Sequence, residues 1–257
     1  MPVIRLDIEY DGARFSGWSP QPDARTIDAV LAHAVRIILQ EDIELEVAGR
    51  TDAGVHAAAQ VVSFVTRQSI DPARLTKGLA GLLPVDLAVV STSIAPDDFN
   101  ARKSALSRVY EYRVRVGQRT ALRRNVVLAH PQPLDRDLLD AAAAACCGQH
   151  DFTAFTPTKT EHIFFHRTVY ECGWQTRGDE LVLRVEANAF LRNMVRIMVG
   201  TMLEIARGHR PLSDMEELLA GAPRERAGKT APPHALTLID VRYPVPTSAG
   251  PILTTAE

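Results

Sequence analysis

Residues 49–56 read Gly49-Arg50-Thr51-Asp52-Ala53-Gly54-Val55-His56, a polar stretch between two predicted strands at 44–48 and 60–66. Glycine permits tight turns and close approach of a ligand to the backbone, and the stretch is too polar to be core. It lacks the Gly-Lys-Ser/Thr ending of a phosphate-binding loop. Spacing alone leaves two interpretations open: Asp52 caps neighbouring backbone amides, or it is a functional carboxylate.

A further alternative combines Asp52 with His56 as an acid–base or metal-binding pair. Their spacing would put both on one face of a helix, but Gly54 and the flanking strands disfavour a helix here. A metal ion would also need more ligands, and the neighbouring sequence supplies none. We therefore predict no metal site.

Outward from this loop, strands and helices mix in both halves of the chain. Alternating apolar residues predict strands, and apolar spacings of three and four predict helices. This order indicates an α+β fold rather than strict βαβ alternation, with a division near residues 100–107. Strands are predicted near 4–10, 44–48, 60–66, 86–94, 110–116, 168–175, 181–187 and 236–243, and helices from the cap Thr26 to Ile38, from Asp71-Pro72, from Asp135 to Cys146, from Ala189 to Arg207, and from a capping box of Ser213 with Glu216.

Composition narrows the function classes without choosing one. The chain has 257 residues and a formal net charge of -2, so bulk charge gives no support for nucleic-acid binding. Three cysteines without metal-site spacing, no signal peptide and no membrane-spanning apolar run predict a reduced, cytoplasmic protein. The tail after Tyr243 is expected to be loosely ordered. Any affinity for nucleic acid would come from arginine clusters at Arg108, Arg113, Arg115, Arg119, Arg123 and Arg124, and at Arg192 and Arg196.

The predicted helix at 189–207 is apolar around almost its whole circumference, which indicates a buried helix. Arg192 and Arg196 nevertheless lie in it, four residues apart and on one face. A buried guanidinium is costly unless paired, so Arg196 should have a carboxylate partner, the alternative being a side chain that reaches water. A pair with Asp52 would keep that carboxylate charged, because a neighbouring Arg lowers an Asp pKa by ~1–3 units.

Two tyrosines alternate with charged residues in Arg108-Val109-Tyr110-Glu111-Tyr112. Aromatic faces can stack on an unpaired base at ~1–3 kcal/mol each. The pattern alone favours the other interpretation, in which Tyr110 and Tyr112 are core residues of a half-buried strand.

Together these segments resemble the bacterial tRNA pseudouridine synthase A family. Residues 49–56 resemble its signature, and the matching motifs occur in family order from residue 3 to residue 243. Five positions depart from the family pattern: Ser19 and Pro20 after Trp18, Asp28 in place of Gln, Lys103 in place of an aromatic residue, and Ala235 in place of Gly. The other matching motifs are Glu9-Tyr10-Asp11-Gly12 with Gly17-Trp18, residues 96–102 (Pro-Asp-Asp-Phe-Asn-Ala-Arg), residues 187–196 (Ala-Asn-Ala-Phe-Leu-Arg-Asn-Met-Val-Arg) and residues 228–238 (Gly-Lys-Thr-Ala-Pro-Pro-His-Ala-Leu-Thr-Leu).

The resemblance implies the pseudouridine synthase fold, in which two α+β lobes share an extended, mainly antiparallel sheet with a central cleft. The lobes would comprise residues 1–105 and 106–245, with a flexible tail at 246–257. It implies a cofactor-free homodimer that isomerises uridines 38, 39 and 40 of the tRNA anticodon stem-loop to pseudouridine. A catalytically silent RNA-binding protein of the same fold, an Asp52–His56 hydrolase and a purely structural dimer are the alternatives.

Site residues follow from the same resemblance. Asp52 would be the catalytic carboxylate and Arg196 its partner. Tyr110 would stack on the target uracil and assist transfer of the C5 proton. Arg50 would hold the displaced stem or the flipped nucleotide, and Arg102 and Arg192 would also bind substrate.

Overall fold

The computed structural model describes residues 1–160 and 163–244, which form one large sheet covered by helices. The predicted α+β class is confirmed. Predicted elements occur in the expected order, with ends within a few residues except where noted below. The strands are β1 (Val3–Tyr10), β2 (Glu46–Val47), β3 (His56–Val65), β4 (Leu87–Ala95), β5 (Ser107–Val116), β6 (Leu128–His130), β7 (Gly148–Asp151), β8 (His166–Arg177), β9 (Glu180–Ala187) and β10 (Leu236–Arg242); the helices are α1 (Ile27–Leu39), α2 (Pro72–Leu82), α3 (Arg136–Ala145), α4 (Met194–Ala206) and α5 (Ser213–Leu219).

The sheet runs in the order β4-β1-β3-β10-β5-β9-β8-β7, with β2 beside β3 and β6 beside β5. Its pairs are antiparallel except β10 with β3 and β5 with β6, which confirms the mainly antiparallel prediction. The last strand, β10, lies in the middle and joins the two halves of the chain: Leu238 pairs with Ala57 on one side and with Tyr110 on the other. The end of the 49–56 loop and Tyr110 are therefore separated by one strand.

Helices α1 and α2 pack together, with α2 on β4, and α3 packs against β8 and α4. Helix α4 is buried over nearly all of its length, as its apolar circumference predicts. Its start differs from the prediction, because it begins at Met194 rather than at residue 189. Asn193 has φ 60°, a left-handed conformation that cannot continue a helix. Arg192 is therefore outside the helix, and the prediction that it shares a helix face with Arg196 is wrong.

Three predicted caps have different outcomes. Asp71 accepts hydrogen bonds from the backbone N–H groups of Ala73 and Arg74, as expected at the start of α2. Thr26 occupies the N-cap of α1, but its hydroxyl makes no capping bond. The Ser213 capping box is wrong: Ser213 is the first residue inside α5, and the capping residue Leu212 has no side-chain acceptor.

Two further expectations concern the chain as a whole. Within the described residues, no helix has the length and apolarity to cross a membrane. The predicted tail at 246–257 lies outside the described residues.

Candidate active site

A cleft of 1390 Å³ opens where the loop at 49–53 faces the start of β5 and the segment before α4. Asp52 is the sole carboxylate among the described residues that line this cleft. Six lining residues carry cationic side chains, which gives the cleft the sign of charge that attracts a polyanion although the chain is slightly acidic. These six are Arg50, Arg102, Arg108, Lys159, Arg167 and Arg192.

Glycine shapes the loop that carries Asp52. Gly54 has φ +78°, and its N–H donates to the carbonyl of Phe15. At Gly12 a Cβ would lie 1.9 Å from the carbonyl oxygen of Val55, so only glycine fits beneath the loop. The Trp18 N–H donates to the carbonyl of Thr51. The loop is therefore fixed to the turn that follows β1.

A buried polar group holds the other side of the loop. The amide of Gln60, which is 0% exposed, donates to the carbonyl oxygen of Gly49 at 2.7 Å and to the hydroxyl of Tyr10 at 3.2 Å. The Tyr10 hydroxyl lies 2.8 Å from Oγ1 of Thr51. Burial raises the pKa of Tyr10 to about 12, so the phenol stays protonated. Neither residue was predicted to support the loop; the available signal was a glutamine within the mostly apolar strand β3.

The predicted meeting of Asp52 and Arg196 is present. Nη1 of Arg196 lies 3.4 Å from Oδ2 of Asp52, and the two side chains are 15% and 23% exposed. Arg196 also donates from Nε to the carbonyl of Ala231 and from Nη1 to Oδ1 of Asn193, both at 2.8 Å. These three contacts fix the guanidinium beside Asp52, as expected for a paired arginine.

The pKa of Asp52 moves opposite to the direction expected for a carboxylate beside arginine. Burial raises it above the ordinary value, and this outweighs Arg196, Arg192 and a hydrogen bond from the backbone of Asn193, all of which lower it. Desolvation penalises the charged form, and a single contact at 3.4 Å compensates for only part of that cost. The site thus holds a carboxylate that is more basic than a free aspartate.

The two tyrosines of β5 have different environments. Tyr110 lines the cleft, and its ring meets that of Phe190 edge-on with 5.1 Å between centroids. Burial, followed by the nearby Tyr10 and Asp52, raises the pKa of Tyr110 far above its ordinary value, so its phenol is neutral. Tyr112 is 0% exposed and donates to the carbonyl of Pro232, as a core residue would. Phe190 is a second cleft aromatic that the sequence analysis missed.

His56 does not line the cleft. Its Nδ1 accepts from the N–H of Gly12, and its Nε2 lies at hydrogen-bond distance from the carbonyls of Asn125 and His234. Nδ1 is also 3.0 Å from Oδ1 of Asp11, a contact that is ionic only for a protonated ring, whereas the Gly12 N–H requires an unprotonated Nδ1. Both ring nitrogens make hydrogen bonds with backbone groups, so His56 is not available as the base of an Asp52–His56 acid–base pair. Within residues 1–160 and 163–244, no three metal-binding side chains come together.

The arginine cluster around β5 divides into two groups. Arg108 is 8% exposed and has no carboxylate partner among the described residues; its N–H groups donate to the carbonyls of Ala48, Arg102, Ala105 and Asn188. It therefore ties together three walls of the cleft. Three others make ion pairs away from the cleft: Arg113 with Glu111, Arg115 with Asp179 and Arg123 with Glu180. Arg119 and Arg124 do not line the cleft either.

The remaining predicted substrate-binding residues all line the cleft. Arg50 and Arg102 are there, and Arg192 is exposed and donates to the carbonyl of Lys159 at 3.0 Å. Asp28, one of the departures from the family pattern, accepts a hydrogen bond from the side chain of Trp18 and lies near Arg50. Burial raises the pKa of Asp28 above its ordinary value.

This combination of a central sheet, a cation-lined cleft and one buried carboxylate on a glycine-bracketed loop defines a class of RNA-modifying enzyme. The chain matches the tRNA pseudouridine synthase family over residues 8–102 and 142–244, and it belongs to that family of isomerases. Named relatives agree. It is 40% identical over 244 residues to tRNA pseudouridine synthase A of Anoxybacillus flavithermus, covering 95% of this chain and 99% of the relative.

Two further relatives carry the same name. The protein from Myxococcus xanthus is 39% identical over 245 residues, covering 95% of this chain and 92% of the relative. The protein from Streptomyces griseus is 40% identical over 250 residues, covering 94% of this chain and 88% of the relative. The predicted family membership is confirmed.

Proposed function

We propose that this protein isomerises uridines 38, 39 and 40 of the tRNA anticodon stem-loop to pseudouridine, with Asp52 as the catalytic carboxylate. The observation that carries the proposal is that, among the described residues, Asp52 is the one carboxylate in a cleft lined by six cationic side chains. Phosphate neutralisation by such side chains supplies much of the affinity for RNA. Membership of the tRNA pseudouridine synthase family supports the same reaction.

The reaction breaks the N1–C1′ bond, turns the uracil and joins C5 to C1′. The product is an isomer of the substrate, so no electrons or groups enter or leave and no cofactor is required. The uridine must leave its stack, which costs a few kcal/mol. Stacking on Tyr110, supported edge-on by Phe190, would offset ~1–3 kcal/mol of that cost.

Asp52 has three routes open to it: attack on C1′, attack on C6, or removal of the C2′ proton. All three require an ionised carboxylate beside the flipped nucleotide. Arg196, Arg192 and the Asn193 backbone favour that ionised form against the cost of burial. A pKa raised by burial makes Asp52 a stronger base and nucleophile once it is ionised.

The other residues take supporting roles. Tyr110, with a neutral phenol, stacks on the uracil and assists transfer of the C5 proton. Arg50 holds the displaced stem or the flipped nucleotide, while Arg102 and Arg192 contact phosphates along the cleft. Arg196 acts through Asp52 and is the partner that keeps it in place.

We further propose a cytoplasmic homodimer, in which each subunit has lobes at 1–105 and 106–245 and one tRNA is held by both subunits. Light scattering after gel filtration gives the mass directly. A mass of twice 28.2 kDa supports the dimer, and a monomer at micromolar concentration contradicts it.

Tritium release from tRNA containing [5-³H]uridine tests the function, because forming the C5–C1′ bond expels the C5 hydrogen. Wild-type protein should release tritium, and Asp52→Asn should retain tRNA in a filter-binding assay without release. Transcripts with a single uridine at 38, 39 or 40 assign the positions. RNA binding without release by the wild type would support the catalytically silent alternative.

A further inference from the structure

Asn193 has an unusual position for a residue that begins a helix. It occupies the N-cap of α4, where asparagine normally caps the first turn with its side chain, but it makes no such bond. Its backbone is left-handed, with φ 60° and ψ 4°. Asparagine adopts this conformation more readily than other non-glycine residues. The side chain is thereby released from capping for another contact.

The side chain of Asn193 contacts Arg196, the partner of Asp52. Oδ1 of Asn193 accepts from Nη1 of Arg196 at 2.8 Å, while the same Nη1 lies 3.4 Å from Oδ2 of Asp52. The carbonyl of Ala231 holds Nε of the same guanidinium at 2.8 Å. Nη1 is therefore held between an amide oxygen and a carboxylate oxygen, and the shorter bond is the one to the amide.

The backbone of Asn193 also acts on the carboxylate itself, because its N–H lies close enough to Asp52 to lower the pKa of that carboxyl. One residue thus contacts both members of the pair, through its main chain and through its side chain. The left-handed backbone directs both groups, since a helical Asn193 would have its N–H and side chain elsewhere.

We propose that Asn193 is a positioning residue that sets the geometry of the Asp52–Arg196 pair for the reaction. This inference rests on the proposed role of Asp52 as the catalytic carboxylate. A neutral acceptor is required here. A carboxylate at 193 would compete for Arg196 and add a like charge beside Asp52, whereas a residue without an acceptor would leave Nη1 free to move.

Three elements packed around Asp52 supply the titratable and charged groups that interact with it. Arg196 comes from α4, Arg192 from the segment before it, and Tyr110 from β5. Burial raises the pKa of Tyr110 far above its ordinary value, so its phenol stays neutral. An acid limb in the pH dependence of kcat/KM should therefore report the ionisation of Asp52.

Two variants test the proposal through different readouts of tritium release. Asn193→Asp should move the acid limb of kcat/KM to higher pH by about one unit, because a like charge disfavours ionisation. Asn193→Gly keeps the left-handed backbone and its N–H but lacks Oδ1, so kcat should fall at least ~10-fold while KM for tRNA stays unchanged.

Gln40→Gly is a matched control, since Gln40 also has a left-handed backbone, φ 52°, at the end of α1 and does not line the cleft. It should leave kcat and the pH profile unchanged. A wild-type acid limb in Asn193→Asp together with wild-type kcat in Asn193→Gly would overturn the inference while the function stands. Failure of wild-type protein to release tritium, or full release by Asp52→Asn, would overturn both.

Discussion

Gly200 lies in α4 at a point where no side chain fits, and replacing it tests how the helix holds the site. A Cβ there would be 1.7 Å from the carbonyl oxygen of Lys229 and 2.9 Å from its carbon. The segment 228–231 is held against the helix by the Ala231 N–H, which donates to the carbonyl of Arg196 at 3.0 Å. The carbonyl of the same Ala231 accepts from Nε of Arg196.

The size of the effect follows from these distances. Ordinary contact begins near 3.4 Å, so the segment must retreat by about 1.7 Å, the difference between 3.4 and 1.7 Å. Overpacking of this kind costs ~1–3 kcal/mol, and each backbone hydrogen bond lost adds ~1 kcal/mol. The better helix propensity of alanine returns ~1 kcal/mol. We expect Gly200→Ala to lower the free energy of unfolding by ~2 kcal/mol.

Activity should fall as well, because the retreating carbonyl of Ala231 releases one of the bonds that fix Arg196. A displacement of ~1 Å at a catalytic group can cost ~10²-fold in rate. Urea denaturation gives the stability change, and tritium release below the unfolding transition gives kcat.

Gly81→Ala is the matched control, since Gly81 lies in helix α2 and an added Cβ meets nothing within 4 Å. It should gain up to ~1 kcal/mol and keep full activity. If Gly200→Ala matched Gly81→Ala in both stability and kcat, the close approach of α4 to segment 228–231 would not be what holds Arg196, and the reasoning would be refuted.

Three further predictions concern the cleft. Burial raises the folded-state pKa of Asp52 above 3.8, so ionisation of this carboxyl destabilises the fold as pH rises through that pKa. Asp52→Asn should therefore unfold at a higher temperature than wild type at pH 7, and the difference should shrink below pH 4. A variant less stable than wild type at pH 7 would show that ionised Asp52 stabilises the fold instead. Arg196→Met should lose activity and lower the free energy of unfolding in urea by ~3 kcal/mol, because it leaves a buried carboxylate unpaired. Arg192 is exposed, so Arg192→Met should keep wild-type stability. Equal stabilities of the two variants would show that the fold does not depend on Arg196. Tyr110→Phe should keep KM for tRNA but lose at least ~10²-fold in kcat with the hydroxyl that assists the proton transfer, and Tyr110→Ala should raise KM as well; wild-type kinetics for Tyr110→Phe would limit the residue to stacking.

Much of the fold follows from local pattern. The alternation in β1 and the apolar stripe of α1 determine those elements, and the Asp71-Pro72 pair correctly predicts the start of α2. The order of strands in the sheet could not be predicted in this way, because the position of β10 between β3 and β5 depends on pairing between residues far apart in the chain. No local pattern encodes that pairing.

The start of α4 shows a local pattern overridden by tertiary structure. Residues 189–193 continue the apolar helical spacing, yet Asn193 turns left-handed and the helix begins after it. The segment instead forms a wall of the cleft, where Phe190 meets Tyr110. Helix propensity therefore predicts the backbone poorly where residues of a functional site need a non-helical conformation.

The candidate site was only partly predictable. A carboxylate between glycines and a buried arginine that needs a counter-charge were visible as residue types, and the family resemblance correctly predicted that the two meet. The pKa of Asp52 was not predictable, because its direction depends on how much burial outweighs the arginines. Gln60 and Asn193 act through contacts that only the folded chain creates.

The central claim is that Asp52 forms pseudouridine in the anticodon stem-loop of tRNA. Its most direct test is chemical mapping of pseudouridine in tRNA from cells that lack this protein, re-supplied with wild type or with Asp52→Asn at equal abundance. The account predicts pseudouridine at positions 38, 39 and 40 with the wild type and unmodified uridine with Asp52→Asn. Modification at those positions with both proteins, or with neither, would contradict it.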